Sequence, residues 1–170
     1  ELRPFLWKYK KKINLYGNAK TINSLKKKFD YCFKKTTFYP PIVKGNIIKN
    51  NFSIGKNKER VNFKTAEVKH GKIKTVLYVF EKTAYLSDCN DLSITDLPIL
   101  RSLNTLIIDC LTLKENWAHF NLNDSLYIHN TLKPKKTILT NLRYDMDYNF
   151  LLKSLPKNVI PAYDGMVINL

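Results

Sequence analysis

Three side chains stand where chemistry could be done. Asp88 closes an apolar, β-prone run, LYVFEKTAYLSDCND over residues 77–91, and a carboxylate just past a buried strand sits where α/β proteins gather their ligands. His70, in Val68-Lys69-His70-Gly71, follows a strand and enters a glycine-containing turn, a position that suits a ligand. His119 lies in Ala118-His119-Phe120-Asn121-Leu122. On residue type alone each histidine reads as a structural or surface side chain, so the weight rests on the three occurring together. Asp145 and Asp147 form a carboxylate pair, but i, i+2 spacing before a helix points to capping more than to acid and base work. Asp109, at the end of an apolar strand, could face the same cleft as Asp88. The three cysteines, Cys32, Cys89 and Cys110, lack C-x-x-C spacing and suggest neither a disulfide framework nor a zinc knuckle. No phosphate-binding glycine loop, G-x-S-x-G elbow or usefully spaced Cys/His pair occurs.

The elements that must position these residues follow from hydrophobic pattern. Val76–Phe80 and Thr83–Leu86 read as strands joined by a Glu81-Lys82 turn. Strands over 47–54 and 60–68 lead to His70, and Thr105–Cys110 is a strand buried on both faces and parallel to its neighbours. Pro4 opens a short helix, Ile13–Asn18 is a strand, and Ile22, Leu25, Phe29 and Phe33 mark an amphipathic helix over 19–33. Phe38-Tyr39-Pro40-Pro41 breaks regular structure; between a stacking surface and a loop pinned to the core, the second reading is favoured. A short helix is expected over 92–103, then a helix over 122–132, a strand over 137–140, a helix over 148–155, and a closing hairpin of Val159–Ala162 with Met166–Ile168. This alternation argues a single α/β layered domain over residues 1–170.

The chain has 170 residues, is 44% hydrophobic and carries 29 Lys and Arg against 14 Asp and Glu, net +15. That is long enough for a real core. A soluble cytoplasmic protein with no membrane partner is expected, since no apolar run reaches a membrane span and no signal peptide opens the chain. The positive charge invites a nucleic-acid reading, yet the lysines read as scattered through every segment among many Asn and Ile, as AT-rich coding sequence produces.

Taken in order, Lys69-His70-Gly71, Leu86-Ser87-Asp88, His119-Phe120-Asn121-Leu122, Ile138-Leu139-Thr140 and Ala162-Tyr163-Asp164-Gly165-Met166 resemble the metallo-β-lactamase-fold hydrolases. Their nearest branch is the PhnP-like one, the phosphoribosyl 1,2-cyclic phosphate phosphodiesterases. The resemblance implies an αββα sandwich, two divalent metal ions (Zn or Mn), and a small phosphodiester as substrate. By it, His70 and Asp88 are metal ligands, His119 is a catalytic residue near the phosphate, and Asp109 supports the ligands. The departures matter equally. The family's His-x-His-x-Asp-His loop is absent, and the match begins at Glu1, so the resemblance implies an incomplete sandwich lacking its first third. At the late metal ligand this chain has Asn141, and Tyr144 replaces a further histidine. An amide oxygen is a poor substitute for imidazole on such ions. The expectation is an inactive remnant that does not retain its metals. The alternatives are one piece of a split hydrolase, completed by a separate N-terminal chain docking on exposed strand edges, or a basic RNA- or polyanion-binding module. Exposed edges would also favour homo-oligomers.

Overall fold

We describe the chain from a computed structural model, which covers residues 2–93 and 98–169. It forms two compact units, residues 1–50 and 51–170. No helix among the described residues is long and apolar enough to cross a membrane.

The first unit begins with α1 (Arg3–Tyr9), a helix with proline in its first turn, ended by Lys10 in the left-handed conformation. Strand β1 (Ile13–Gly17) follows, then α2 (Ala19–Lys28), whose N-terminus Asn18 caps by accepting the Thr21 N–H. The single helix expected over 19–33 is broken. Phe29 leaves helical geometry at φ −127°, ψ 44°, and a separate turn, α3 (Asp30–Phe33), follows it. Strand β2 (Val43–Ile47) pairs parallel with β1, a strand not anticipated from its polar, glycine-containing sequence. The loop before β2 also departs from expectation. Phe38 is 85% exposed instead of pinned to the core, and the loop is closed by its own bonds, the Thr36 N–H to the Tyr39 carbonyl and the Tyr39 N–H to the Thr36 hydroxyl.

The second unit is one sheet of β3 (Asn51–Ile54), β4 (Val61–His70), β5 (Ile73–Phe80), β6 (Thr83–Leu86), β7 (Thr105–Asp109), β8 (Lys136–Thr140) and β9 (Val159–Pro161), neighbours in that order. From β3 to β6 the pairs are antiparallel, and from β6 to β9 parallel. The region read as one strand over 47–54 is therefore two short ones, the end of β2 in one sheet and β3 in the other. Glu81 and Lys82, both at positive φ, form the tight β5–β6 turn. The expected closing hairpin does not form. β9 instead runs parallel to β8, and Met166–Ile168 is irregular, because α5 (Tyr148–Ser154) returns the chain to the start of a parallel strand. Of the helix expected over 92–103, Ile94 and Leu97 lie outside the described residues; the described part holds only a 3-10 turn at Pro98–Leu100. The alternation of strands and helices gives the layered α/β class expected.

The core lies on one face of this sheet. Leu77, Val79, Ala84, Leu86, Leu106, Ile108 and Leu139 pack with Phe120, Ile128 and Leu151, each fully buried aliphatic side chain contributing about 1.5–3 kcal/mol. Helix α4 (Leu122–Leu132) covers it, fixed at its start by a capping box between Asn121 and Asp124. Asp147 caps α5 through the Phe150 N–H, as its spacing predicts, whereas Asp145 pairs with Arg143.

The third histidine, His129 on α4, is structural. It is buried, with Nδ1 2.8 Å from the Thr137 hydroxyl, and burial lowers its pKa below the ordinary 6.5. Well above pH 6.5 neither folded nor unfolded chain protonates it. Below, the unfolded chain takes a proton that the fold resists, so stability falls as the pH drops from about 6.5 towards the folded value. Thermal melts between pH 7.5 and 5.5 should therefore show a smaller acid-side decline for His129→Gln than for the native chain; identical declines would contradict this assignment.

Candidate metal centre

Four strands point the same way and release their chemistry at the same end. Since β4–β5 and β5–β6 are antiparallel and β6, β7 and β8 are parallel, the C-terminal ends of β4, β6, β7 and β8 share one edge of the sheet. His70 is the last residue of β4, Asp88 lies two residues beyond β6, Asp109 ends β7, and Asn141 directly follows β8. This is the edge at which open α/β sheets bind ligands. His119 arrives from the loop between β7 and α4.

Local wiring holds each group. His70 Nδ1 donates to the Ala118 carbonyl at 2.7 Å, which leaves Nε2 as the basic nitrogen. Behind it, Gly71 turns at φ +56°, and its N–H donates to Asn90 Oδ1 at 2.8 Å. A methyl at Gly71 would stand 2.3 Å from the Trp117 ring, so glycine is required twice over. The Asp88 loop is tied down by the Thr75 hydroxyl donating to the Asp88 carbonyl at 2.7 Å and by the Asn90 N–H on the Lys69 carbonyl. The Ser87 hydroxyl donates to Asp88 Oδ2 at 3.1 Å. Asn116 Oδ1 accepts the N–H groups of both Ala118 and His119, and buried Phe120 anchors the loop that follows.

Asp109 is the hub. It is fully buried, and its Oδ2 accepts from His119 Nδ1 at 2.8 Å and from the Cys89 N–H at 3.0 Å. Its Oδ1 accepts from Asn141 Nδ2 at 3.1 Å. Burial pushes the Asp109 carboxyl up, and the donors from Cys89, His119 and Asn141 pull it down. Burial likewise pushes the thiols of Cys89 and Cys110 up to about 12, so both are inert, packed side chains.

One ligating atom from each of His70, Asp88 and His119 lies within 4.8 Å of the others. That is slightly wider than the roughly 3.3–4.2 Å separating ligands on one ion with bonds of about 2.0–2.1 Å, a gap that side-chain rotation closes. Each histidine gives its other N–H to an oxygen, the arrangement that orients metal-bound imidazoles. The set fits one divalent ion. Beside it, Asn141 turns its amide N–H groups inward, to Asp109 Oδ1 and to the Ser87 carbonyl at 3.3 Å.

The structure brings His70, Asp88, His119 and Asp109 together, while the supporting positions of Asn90 and Asn116 were missed. Their only sequence signal is asparagine in a loop next to a histidine or aspartate. The His119 ring lies beside that of His70, their centroids 4.5 Å apart.

A family model of the beta-lactamase superfamily domain matches residues 1–140. None of the curated proteins compared matches the sequence. Among solved structures, a diphosphatase from the PhnP family is 28% identical, with a TM-score of 0.79 over 92% of this chain and 57% of its own. Zn(2+)-bound PqqB from Methylobacterium extorquens is 14% identical, with a TM-score of 0.72 over 94% of this chain and 66% of its own. The metallo-β-lactamase fold protein YhfI from Bacillus subtilis is also 14% identical, with a TM-score of 0.65 over 88% of this chain and 61% of its own. These last two share the fold alone. The chain thus spans 57% of the length of the PhnP-family diphosphatase. With residues 1–140 matched by its model, the chain belongs to the beta-lactamase superfamily domain family, and it is similar in fold to the PhnP-family diphosphatase.

Proposed function

We propose that these 170 residues form a phosphoester-hydrolase scaffold whose own side chains hold at most one divalent ion, and that by themselves they do not turn over substrate. The observation that carries this reading is the inward amide of Asn141, which places hydrogen-bond donors on Asp109 and Ser87 where a second ion would need a ligand. An ion bound by His70, Asp88 and His119 would polarise a phosphoryl oxygen and lower the pKa of bound water. The chain's own contribution is orientation: Ala118 and Asp109 fix the two imidazoles, and Ser87 steadies the Asp88 carboxylate. The substrate class that the likeness to a PhnP-family diphosphatase supports is a small phosphodiester or diphosphate.

The test is metal stoichiometry after loading with zinc or manganese, read by elemental analysis for the native chain and for His70→Ala, with bis(p-nitrophenyl) phosphate hydrolysis measured alongside. The expected result is no more than one equivalent, lost in the variant, with hydrolysis no faster than metal in buffer. Two retained equivalents together with turnover would overturn the reading.

A further inference from the structure

The charge is not evenly spread. Residues 1–50 hold thirteen of the 29 Lys and Arg but only two of the 14 acids, so this compact unit carries +11 of the net +15. That corrects the impression of lysines scattered through every segment. The same unit exposes aromatic rings that a small fold would ordinarily bury: Phe5 52%, Trp7 54%, Tyr9 57%, Tyr31 46%, Phe38 85% and Tyr39 47%. Cations and rings are interleaved. The Arg3 guanidinium lies 5.2 Å from the Tyr39 ring centre and 6.0 Å from that of Tyr31, and Lys8 Nζ lies 5.3 Å from Tyr9. Phe5 and Tyr9 stand nearly parallel on α1.

The loop at residues 36–39 is the most telling part. Its ends are locked by the Thr36–Tyr39 bonds, and Pro40 and Pro41 stiffen the exit. Phe38 is therefore presented at the tip of a rigid loop, a few residues after the exposed Lys34 and Lys35, of which Lys34 Nζ stands 3.9 Å from the exposed Asp30 carboxylate. A large apolar ring held outward loses little entropy on contact, so its exposure favours a partner with flat faces. A positively charged surface with exposed aromatic rings is the combination by which proteins hold single strands, phosphates on the cations and bases on the rings. An inserted membrane face would instead segregate its apolar rings from the charges.

We infer that residues 1–50 bind single-stranded nucleic acid, with Phe38, Tyr39 and Tyr31 as base-stacking rings and the neighbouring lysines on the phosphates. The surface uses none of the metal-centre residues.

Fluorescence anisotropy with fluorescein-labelled U15 and dT15, from 50 to 200 mM salt, tests this on the full chain. Both oligonucleotides should bind, since stacking needs no 2′-hydroxyl. Phe38→Ala with Tyr39→Ala should weaken binding on the order of tenfold or more with the salt slope unchanged. Lys34→Gln with Lys35→Gln should flatten the slope of log K against log salt by about 1.4, at about 0.7 per phosphate contact on a single strand. Unaltered circular dichroism in both double variants excludes unfolding, and Phe38→Ala alone, at an exposed loop tip, keeps the test valid if Tyr39 proves structural. Oligonucleotide affinity unmoved by the aromatic replacements would reduce the surface to unspecific charge and overturn the proposal. So would binding to phosphatidylserine vesicles without binding to either oligonucleotide.

Discussion

Asp109→Ala is expected to lower stability by about 3–5 kcal/mol, the range for removing one member of a buried, hydrogen-bonded charged cluster. Asp109 is wholly buried, and three donors converge on its carboxylate, from Cys89, His119 and Asn141. Of these the Cys89 N–H has no access to water, so its loss alone costs about 1–3 kcal/mol. His119 would also lose the partner that sets its ring, and the Asp88 loop would lose its tie to β7 through Cys89. In a chain of this length each kcal/mol moves the melting temperature by about 2–4 °C, so a fall on the order of 10 °C is expected, with a matching drop in the urea midpoint. Asp88→Ala gives the contrast. Its side chain is 44% exposed and stands 3.9 Å from His119 Nδ1, an arrangement in which an ion pair contributes about 0–1 kcal/mol. Asp88→Ala should therefore abolish metal retention with little change in melting. Equal destabilisation by the two variants would show that Asp109 is not the hub described here.

What sequence could reveal about this architecture depended on how local each cause was. The β5–β6 pair was legible because an apolar run flanks a two-residue turn, and α4 because Leu122, Leu126 and Tyr127 keep helical spacing after Asn123 and Asp124. β2 was not legible: Val43-Lys44-Gly45-Asn46-Ile47 has weak strand character and is held by its register with β1, thirty residues away. The break at Phe29 was hidden as well, since Leu25, Phe29 and Phe33 keep helical spacing while the backbone does not. At the site, His70, Asp88 and His119 were given weight as a set by a family resemblance, because separations of 18 and 31 residues carry no periodic signal. That they meet follows from strand direction, and that Asp109 governs them follows from burial. Neither property belongs to any short stretch of chain.

Asn141→His tests whether a single amide limits the centre. The position lies at φ 63°, a left-handed conformation that asparagine and histidine both tolerate better than most residues, so the replacement needs no backbone shift. It removes the bonds from Asn141 Nδ2 to Asp109 Oδ1 and the Ser87 carbonyl, at a cost of about 1–3 kcal/mol because Asp109 is buried. In exchange it supplies an imidazole beside Asp109 and His119, where the resemblance expects the late ligand. Since even an outer partner of a metal ligand changes affinity by about 10–100-fold, a direct ligand should tighten zinc binding by at least tenfold, read by competition with a chromophoric chelator. Asn141→Ala separates ligation from the loss of hydrogen bonds: it gives up the same bonds and offers no nitrogen, so it should leave zinc affinity at or below the native level. If histidine at this position brings no gain over alanine, the weakness of the centre does not reside in Asn141, and the ligand set of His70, Asp88 and His119 is itself too open to close on an ion.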